Sequence, residues 1–181
     1  MLPTSDHHSH LEPCPVRHWA QAAPHRIAIH TANPLNYQQL DARLNSLCLQ
    51  LEGAGLKSGD RLAAVVRGAL PDVLLAWACV RSGIIFCPLN PAFPLTRQAA
   101  LAQQLDVAAF WSADEIPVGS GCPLRLDFST DVATTEPPWP LAPAQLNNMI
   151  LTSGSSGTPK AVVHRLANHL ASARGSASLI P

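Results

Sequence analysis

The chain has 181 residues, of which 47% are hydrophobic and 13% are charged. This length and apolar content are enough for one globular domain with a sizeable core. Lysine and arginine together number 12, as do aspartate and glutamate, so no net field favours nucleic acid or an anionic membrane as a partner. The apolar runs are too short to span a membrane and no secretory signal opens the chain, which favours a cytoplasmic protein.

Cysteine and histidine usage argues against a metal centre. The five cysteines have no close pair, which excludes a C-x-x-C site, argues against a disulfide scaffold and suits a reducing compartment. Cys48, Cys79 and Cys87 fall in apolar patterns and are predicted to lie in the core. Three histidines occur at positions 7–10, but residues 1–15 are predicted to be a disordered tail, so no metal ligand is assigned.

The first predicted elements are a hairpin and a helix. Strand-like runs at 27–30 and 35–37 flank a short polar turn, which indicates a β-hairpin. Apolar residues then recur at helical spacing from Leu40 to Leu51, and Gly53 and Gly55 are predicted to end this helix.

Three apolar runs separated by two helices follow. The runs at 61–66, 84–87 and 107–111 have the continuous apolar character of buried strands. Helices are predicted over 71–83 and 96–105, between successive runs. The buried face of the first of these helices is predicted to comprise Val73, Leu74, Trp77, Ala78 and Val80. Alternation of strand and helix predicts an α/β fold, with a parallel-rich sheet flanked by helices.

The last part of the chain is predicted to return to this sheet. Residues 112–145 are polar and rich in proline, which predicts an ordered excursion with one short strand near 124–126. The run 146–151 is predicted to re-enter the sheet and to place the loop 151–160 at its carboxyl end, where α/β sheets bind ligands. A helix is predicted over 166–179.

The loop 151–160 combines hydroxyls, two glycines and one lysine. Glycine lets backbone N–H groups approach a ligand and converge on anionic oxygens. Hydroxyls add neutral donors or reach a metal ion, and the lysine adds a mobile positive charge. The candidate phosphate-binding residues are Thr152, Ser153, Gly154, Ser155, Ser156, Gly157, Thr158 and Lys160.

Other interpretations of this loop compete with phosphate binding. It is not a Walker A loop, because only two residues separate its glycines and Thr158-Pro159 precede the lysine. Residues 154–157 alone would suit a flexible linker or a polar surface turn. The apolar run before the loop and Ala161-Val162-Val163 after it favour the phosphate loop.

Residues 151–160 resemble the phosphate-binding loop of the adenylate-forming superfamily, which includes acyl- and aryl-CoA ligases, peptide-synthetase adenylation domains and luciferases. The superfamily pattern runs Thr/Ser-Ser-Gly-Ser/Thr-Ser/Thr-Gly-x-Pro-Lys-Gly, and this chain departs from it at Ala161. Further segments that resemble the superfamily occur in the expected order at 35–40, 55–62 and 83–94. The resemblance implies that residues 1–181 form the first part of the large N-terminal domain of such an enzyme.

Within the superfamily, several segments look like one branch, the 2-succinylbenzoate–CoA ligases of menaquinone synthesis. These segments are 160–164, 168–173 and 178–181, together with Arg17-His18-Trp19 near the start. The resemblance implies an AMP-forming acid–CoA ligase that uses ATP, Mg²⁺, CoA and 2-succinylbenzoate as small-molecule partners. It leaves the oligomeric state open.

The resemblance also implies a role for each loop residue. The hydroxyls of Thr152, Ser153, Ser155, Ser156 and Thr158 would bond the β- and γ-phosphates, with one of them near Mg²⁺. Lys160 would neutralise charge on the departing pyrophosphate. A solvated surface lysine is the simpler alternative for that residue.

Other superfamily motifs are missing from the chain. The Tyr-Gly-x-Thr-Glu stretch, the ribose-binding aspartate, the hinge and the C-terminal lysine would all lie beyond Pro181. We therefore assign no catalytic residue and expect an amino-terminal fragment of a ligase, inactive by itself. The alternative is a non-catalytic remnant or a weak nucleotide-phosphate-binding module.

Two histidines after the loop invite a catalytic interpretation. His164 closes a strand and could approach an acyl pocket, but a structural histidine with satisfied hydrogen bonds is favoured. His169 lies on the following predicted helix and is not assigned a catalytic role.

Overall fold

A computed structural model describes residues 11–133, 140–152 and 160–179. Within these ranges the chain forms ten strands and five helices. The elements are β1 (Glu12–Pro13), α1 (Pro15–Ala22), β2 (Ile27–Ile29), β3 (Leu35–Asn36), α2 (Tyr37–Gly53), β4 (Arg61–Val65), α3 (Leu70–Ser82), β5 (Ile85–Leu89), α4 (Leu95–Gln104), β6 (Ala109–Trp111), β7 (Cys122–Pro123), β8 (Pro140–Leu141), β9 (Leu146–Thr152), β10 (Lys160–Arg165) and α5 (Leu166–Ala177).

The main sheet has six strands in the order β10-β9-β5-β4-β6-β7. All neighbouring strands are parallel except β10, which runs antiparallel to β9 at one edge. Two small antiparallel pairs, β1 with β8 and β2 with β3, lie outside this sheet. The α/β class with a parallel-rich sheet is therefore confirmed.

The two crossover helices cover opposite faces of the sheet. The chain moves from β4 to β5 on one side and from β5 to β6 on the other side of β4. Right-handed crossovers in opposite directions place α3 and α4 on opposite faces. Accordingly, one hydrophobic cluster joins Leu44 of α2 to Leu74 of α3, and a separate cluster joins Leu101 of α4 to Phe110 of β6.

Local sequence signals fix the ends of the central helices. Helix α2 begins with a reciprocal cap, in which the Gln39 N–H donates to Asn36 Oδ1 at 2.8 Å and the Asn36 N–H donates to Gln39 Oε1 at 3.0 Å. Helix α3 ends at Gly83, whose φ of 68° favours glycine. A Cβ at that glycine would lie 2.4 Å from Ser58 Oγ, so close packing also requires glycine there.

A buried ion cluster ties the first three helices together. Asp41 of α2 accepts hydrogen bonds from Arg17 of α1 and Arg81 of α3, both at 2.5 Å. Arg81 also donates to Asn45 Oδ1 at 2.8 Å and to Cys14 Sγ at 3.4 Å. Burial disfavours the charge on Arg81, but Cys14 and Asp41 outweigh burial and raise its pKa.

The predicted core cysteines are buried, as expected. Burial raises the pKa of the Cys48 and Cys79 thiols and raises the pKa of Cys87 to about 12. Cys122 is the exposed cysteine among the described residues. No disulfide links these five side chains.

Three predictions require correction. Residues 11–15, expected in a disordered tail, form β1 and begin α1, and Cys14 is fully buried. Val73 is exposed, because α3 turns the adjacent Leu74 and Leu75 toward the core instead. The short strand expected near 124–126 lies at Cys122–Pro123, because its position is set by pairing with β6.

Candidate functional site

The predicted phosphate loop joins the two strands of a β-hairpin. Thr152 at the end of β9 lies opposite Lys160 at the start of β10. The Thr152 hydroxyl donates to the Lys160 carbonyl oxygen at 3.2 Å, which closes the hairpin at the base of the loop. Residues 153–159, which include six of the eight candidate binding residues, lie outside the described residues.

The hairpin opens at the carboxyl edge of the parallel sheet. Strand β9 is parallel to β5, with Asn148 opposite Phe86, so Thr152 lies at the same edge as the ends of β4 and β5. Loops after β4 and β5 lead to helices on opposite faces, which makes this edge a topological switch point. The sequence-based placement of the loop base at this edge is confirmed.

The described ends of the loop are open to solvent, and Lys160 has a charge that no neighbouring carboxylate among the described residues neutralises. Thr152 and Lys160 are both exposed. None of the salt bridges among the described residues involves Lys160, so no carboxylate there neutralises its ammonium group. An exposed ammonium group at the base of a Gly/Ser loop fits an anionic ligand such as a polyphosphate.

Hydrogen bonds and an ion pair hold the loops after β4 and β6 in place at the carboxyl edge of the sheet. Asp72 Oδ2 accepts the N–H groups of Arg67 at 2.8 Å and Ala69 at 2.9 Å, which holds the β4–α3 turn. The Arg67 guanidinium pairs with Asp114 after β6. These contacts fix the scaffold around the carboxyl edge without using Lys160.

The two histidines after the loop lie away from it, toward the other end of the hairpin. His169 of α5 contacts Asn148 Oδ1 at 2.9 Å through its Nε2, and the His164 and His169 rings meet edge to face at 5.6 Å. His164 Nδ1 is buried and has no hydrogen-bond partner among the described residues, so the expectation of a satisfied histidine is wrong. Tertiary packing against α5 shields this nitrogen without supplying a partner.

Sequence reasoning missed a cavity beside these histidines. It lies between α3, β5, β9 and α5, has a volume of about 480 Å³ and is lined by Trp77, Phe86, Asn147 and other residues. A pair of asparagines inside an otherwise apolar strand was the one available signal. Within the described ranges, no cluster of three or more His, Cys, Asp or Glu side chains could hold a metal ion. No helix of those ranges is long and apolar enough to cross a membrane.

Comparison with known proteins gives a consistent set of matches. The sequence model of the family described as AMP-binding enzyme matches residues 16–180. The chain is 34% identical over 169 residues to 2-succinylbenzoate–CoA ligase of Salmonella typhimurium, covering 92% of this chain and 36% of that protein. It is 35% identical over 179 residues to the Escherichia coli enzyme of the same name, covering 92% and 37%. The chain thus spans little more than a third of these curated relatives.

Solved structures of similar proteins share the fold of this chain. A structure of E. coli MenE with bound OSB-AMS superposes with a TM-score of 0.80 at 27% identity, covering 94% of this chain and 38% of that chain. A Bacillus subtilis MenE structure in complex with the acyl-adenylate intermediate OSB-AMP has a TM-score of 0.78 at 21% identity, covering 93% and 46%, which shows a shared fold. Because the family model matches residues 16–180, this chain belongs to the AMP-binding enzyme family.

Proposed function

We propose that this chain supplies the phosphate-binding part of an AMP-forming 2-succinylbenzoate–CoA ligase of menaquinone biosynthesis. The observation that carries the proposal is the 34–35% identity, over 92% of the chain, to two ligases of that name. The exposed Thr152 and Lys160 at the carboxyl edge support it, because they flank a loop with the residue types that bind polyphosphate.

The reaction has two halves. A carboxylate oxygen of 2-succinylbenzoate attacks the α-phosphorus of ATP, the bond from that phosphorus to the bridging oxygen breaks, and pyrophosphate leaves. The CoA thiol then gives its proton to solvent and its sulfur attacks the acyl carbon. The bond from that carbon to the phosphate oxygen breaks, and AMP leaves as the thioester forms. Charge builds on the pyrophosphate oxygens in the first half, which is where the loop of this chain would act.

The loop residues hold the β- and γ-phosphates in this proposal. Backbone N–H groups at Gly154 and Gly157 converge on phosphate oxygens, while the hydroxyls of Ser153, Ser155, Ser156 and Thr158 donate to them. The Thr152 hydroxyl would leave the Lys160 carbonyl oxygen and turn to a phosphate oxygen when the ligand binds. Lys160 neutralises charge on the departing pyrophosphate from the start of β10. Mg²⁺, when bound with ATP, neutralises further phosphate charge, and one loop hydroxyl would lie near it.

Lys160 is the first residue of strand β10, so its Cα position is fixed by the sheet. The backbone of Lys160 is paired with Thr152 across the hairpin, so only its side chain needs to be ordered on ligand binding. When fewer rotatable bonds lose their freedom, the entropic cost of binding the phosphates is smaller. The hairpin therefore holds the Lys160 backbone in one position, from which the ammonium group can contact the phosphates.

A chimeric ligase tests the proposal. This chain would replace the matching amino-terminal segment of the E. coli ligase, and ATP–pyrophosphate exchange would be measured with 2-succinylbenzoate and with benzoate. We expect exchange that depends on 2-succinylbenzoate. A folded chimera that exchanges pyrophosphate no faster than a chimera carrying Lys160→Ala would contradict the assigned role of the loop.

A second measurement separates the ligase from a phosphate-binding module. The chain alone, without the rest of the ligase, would be dialysed against labelled Mg·ATP and against pyrophosphate. We expect weak binding of both, lost in Lys160→Ala. Binding to the chain alone together with an inactive but folded chimera would favour the module over the ligase.

A further inference from the structure

A mostly apolar cavity lies on the face of the sheet that carries α3 and α5. Its volume of about 480 Å³ is within the range of small-molecule sites. Trp77 of α3 and Phe86 of β5 provide aromatic walls, and Leu166 and Leu170 of α5 provide aliphatic ones. Such walls suit a flat apolar molecule.

A β-bulge places an amide at this cavity. His164 lies opposite Asn148 and Arg165 lies opposite Leu146, so Asn147 has no partner residue in β10. Bulges of this kind change the direction of a side chain and are frequent next to binding sites. Asn147 lines the cavity, and its Oδ1 is buried and accepts no hydrogen bond from the described residues.

The neighbouring polar groups leave this oxygen as the open acceptor. Asn148 Oδ1 is engaged by His169 Nε2 at 2.9 Å. The His164 ring contacts the His169 ring and does not line the cavity. A buried acceptor without a donor destabilises the fold, so a ligand that supplies the donor binds more tightly than one that does not.

Charge around the cavity indicates a neutral ligand. Arg174 is the charged residue among the described lining residues, and its guanidinium already pairs with Glu12 at 2.9 Å. A charged ligand group would be buried against an apolar wall without a counter-ion, which is costly. A neutral molecule avoids this cost.

We propose that this cavity binds a small neutral aromatic molecule of the phenol class. Its hydroxyl donates to Asn147 Oδ1, and its ring lies against Trp77 and Phe86. The site is distinct from the phosphate loop, because Asn147 is the second residue of β9 and the loop begins at the opposite end of that strand, at 151–152. The proposal goes beyond the ligase function and does not depend on it.

Two matched probes test the site on the whole chain. Equilibrium dialysis would compare 1-naphthol, which donates a hydrogen bond, with 1-methoxynaphthalene, which has the same rings but no donor. We expect 1-naphthol to bind about five- to tenfold more tightly, as one hydrogen bond to a buried acceptor supplies. Equal affinity of the two probes would overturn the proposal. Absence of saturable binding, as would follow if a second copy of the chain covers this face, would also overturn it.

Variants locate the binding in the cavity. Asn147→Ala should remove the preference for 1-naphthol while leaving 1-methoxynaphthalene unchanged, whereas the exposed Asn33→Ala should change neither. Ala173→Phe should fill the cavity and abolish binding of both probes, since Ala173 lines it. Ala171→Phe adds the same group to an exposed position of α5 outside the lining and serves as control. Binding that survives Ala173→Phe would place the probes elsewhere.

Discussion

The α1–α2–α3 face and the β9–β10 hairpin differ sharply in how they are held. Leu44 and Leu74 on the helical face are fully buried, and Asp41 joins all three helices through arginine. On the hairpin, Val162 and Val163 remain about 40% exposed, and β10 is an edge strand. The helical face therefore buries its apolar side chains more completely than the hairpin does, and each should contribute more to stability.

The residues that stabilise the fold and those proposed to bind phosphate therefore lie in different regions. The loop proposed to bind phosphate joins β9 to β10, and the residues at its base, Thr152 and Lys160, are exposed. Binding loops are usually drawn from the less stable parts of a fold, because they must adapt to a ligand. Substitutions in the two regions should accordingly affect different measurements.

The largest effect is expected from breaking the ion cluster. Asp41→Ala would leave the Arg81 guanidinium buried without its carboxylate partner and would remove the ion pair to Arg17. It should lower the free energy of unfolding by about 3–5 kcal/mol. Denaturant unfolding measures this loss. As a control, Asp131→Ala removes a half-exposed partner of Arg43 and should cost no more than about 1 kcal/mol. Equal losses in the two variants would show that the cluster does not anchor the helices.

A matched pair of leucines compares packing in the two regions directly. Leu44→Ala in α2 removes a fully buried side chain and should cost about 2–5 kcal/mol in unfolding free energy. Leu146→Ala in β9 removes a side chain that is 40% exposed and should cost under about 1 kcal/mol. If both variants unfold at the same denaturant concentration, the hairpin is as well packed as the helical face.

Lys160→Ala should reverse the pattern, with a loss of rate and almost no loss of stability. In the chimeric ligase we expect adenylation to slow by the equivalent of about 2–4 kcal/mol, the scale of one lost charge-stabilising contact. The unfolding free energy should change by less than about 0.5 kcal/mol, because the side chain is exposed. The other lysine of the chain, Lys57, provides the control. Lys57→Ala should leave adenylation unchanged, and an equal slowing would point to general charge effects.

The smallest effect is a pH dependence that belongs to the core and not to the hairpin, which has no cysteine. Burial raises the pKa of Cys87 from about 9 to about 12, so the folded state favours the neutral thiol. Its contribution is fully present below pH 9 and is lost as the pH rises toward 12, by about 1.4 kcal/mol at pH 10. Unfolding from pH 8 to pH 10 should be less pH-dependent in Cys87→Ala by this amount. Cys122→Ala, which removes an exposed thiol, provides the control.

Much of the fold could be predicted because its signals are local. The alternation of apolar strands and helices between Arg61 and Trp111 follows from side-chain periodicity, which depends only on neighbouring residues. The end of α3 at Gly83 follows from the left-handed conformation that glycine allows. The β9–loop–β10 arrangement follows from an apolar run, a Gly/Ser turn and a second apolar run.

The remaining features depend on residues far apart in the chain. Asp41 meets Arg17 and Arg81 across 24 and 40 positions, and no local pattern relates them. The strand at Cys122–Pro123 is set by its pairing with Ala109 and Phe110, not by the apolar content of its own segment.

The sequence by itself thus determined the alternation of elements, the family and the residue types of the phosphate loop, since each depends on neighbouring letters. Only the tertiary structure decided which charges share a buried site, that Asn147 bulges out of register and that α5 leaves a cavity above it. Those features arise where separate helices and strands pack together. Their interaction free energies depend on distances between residues far apart in the chain, which no local pattern contains.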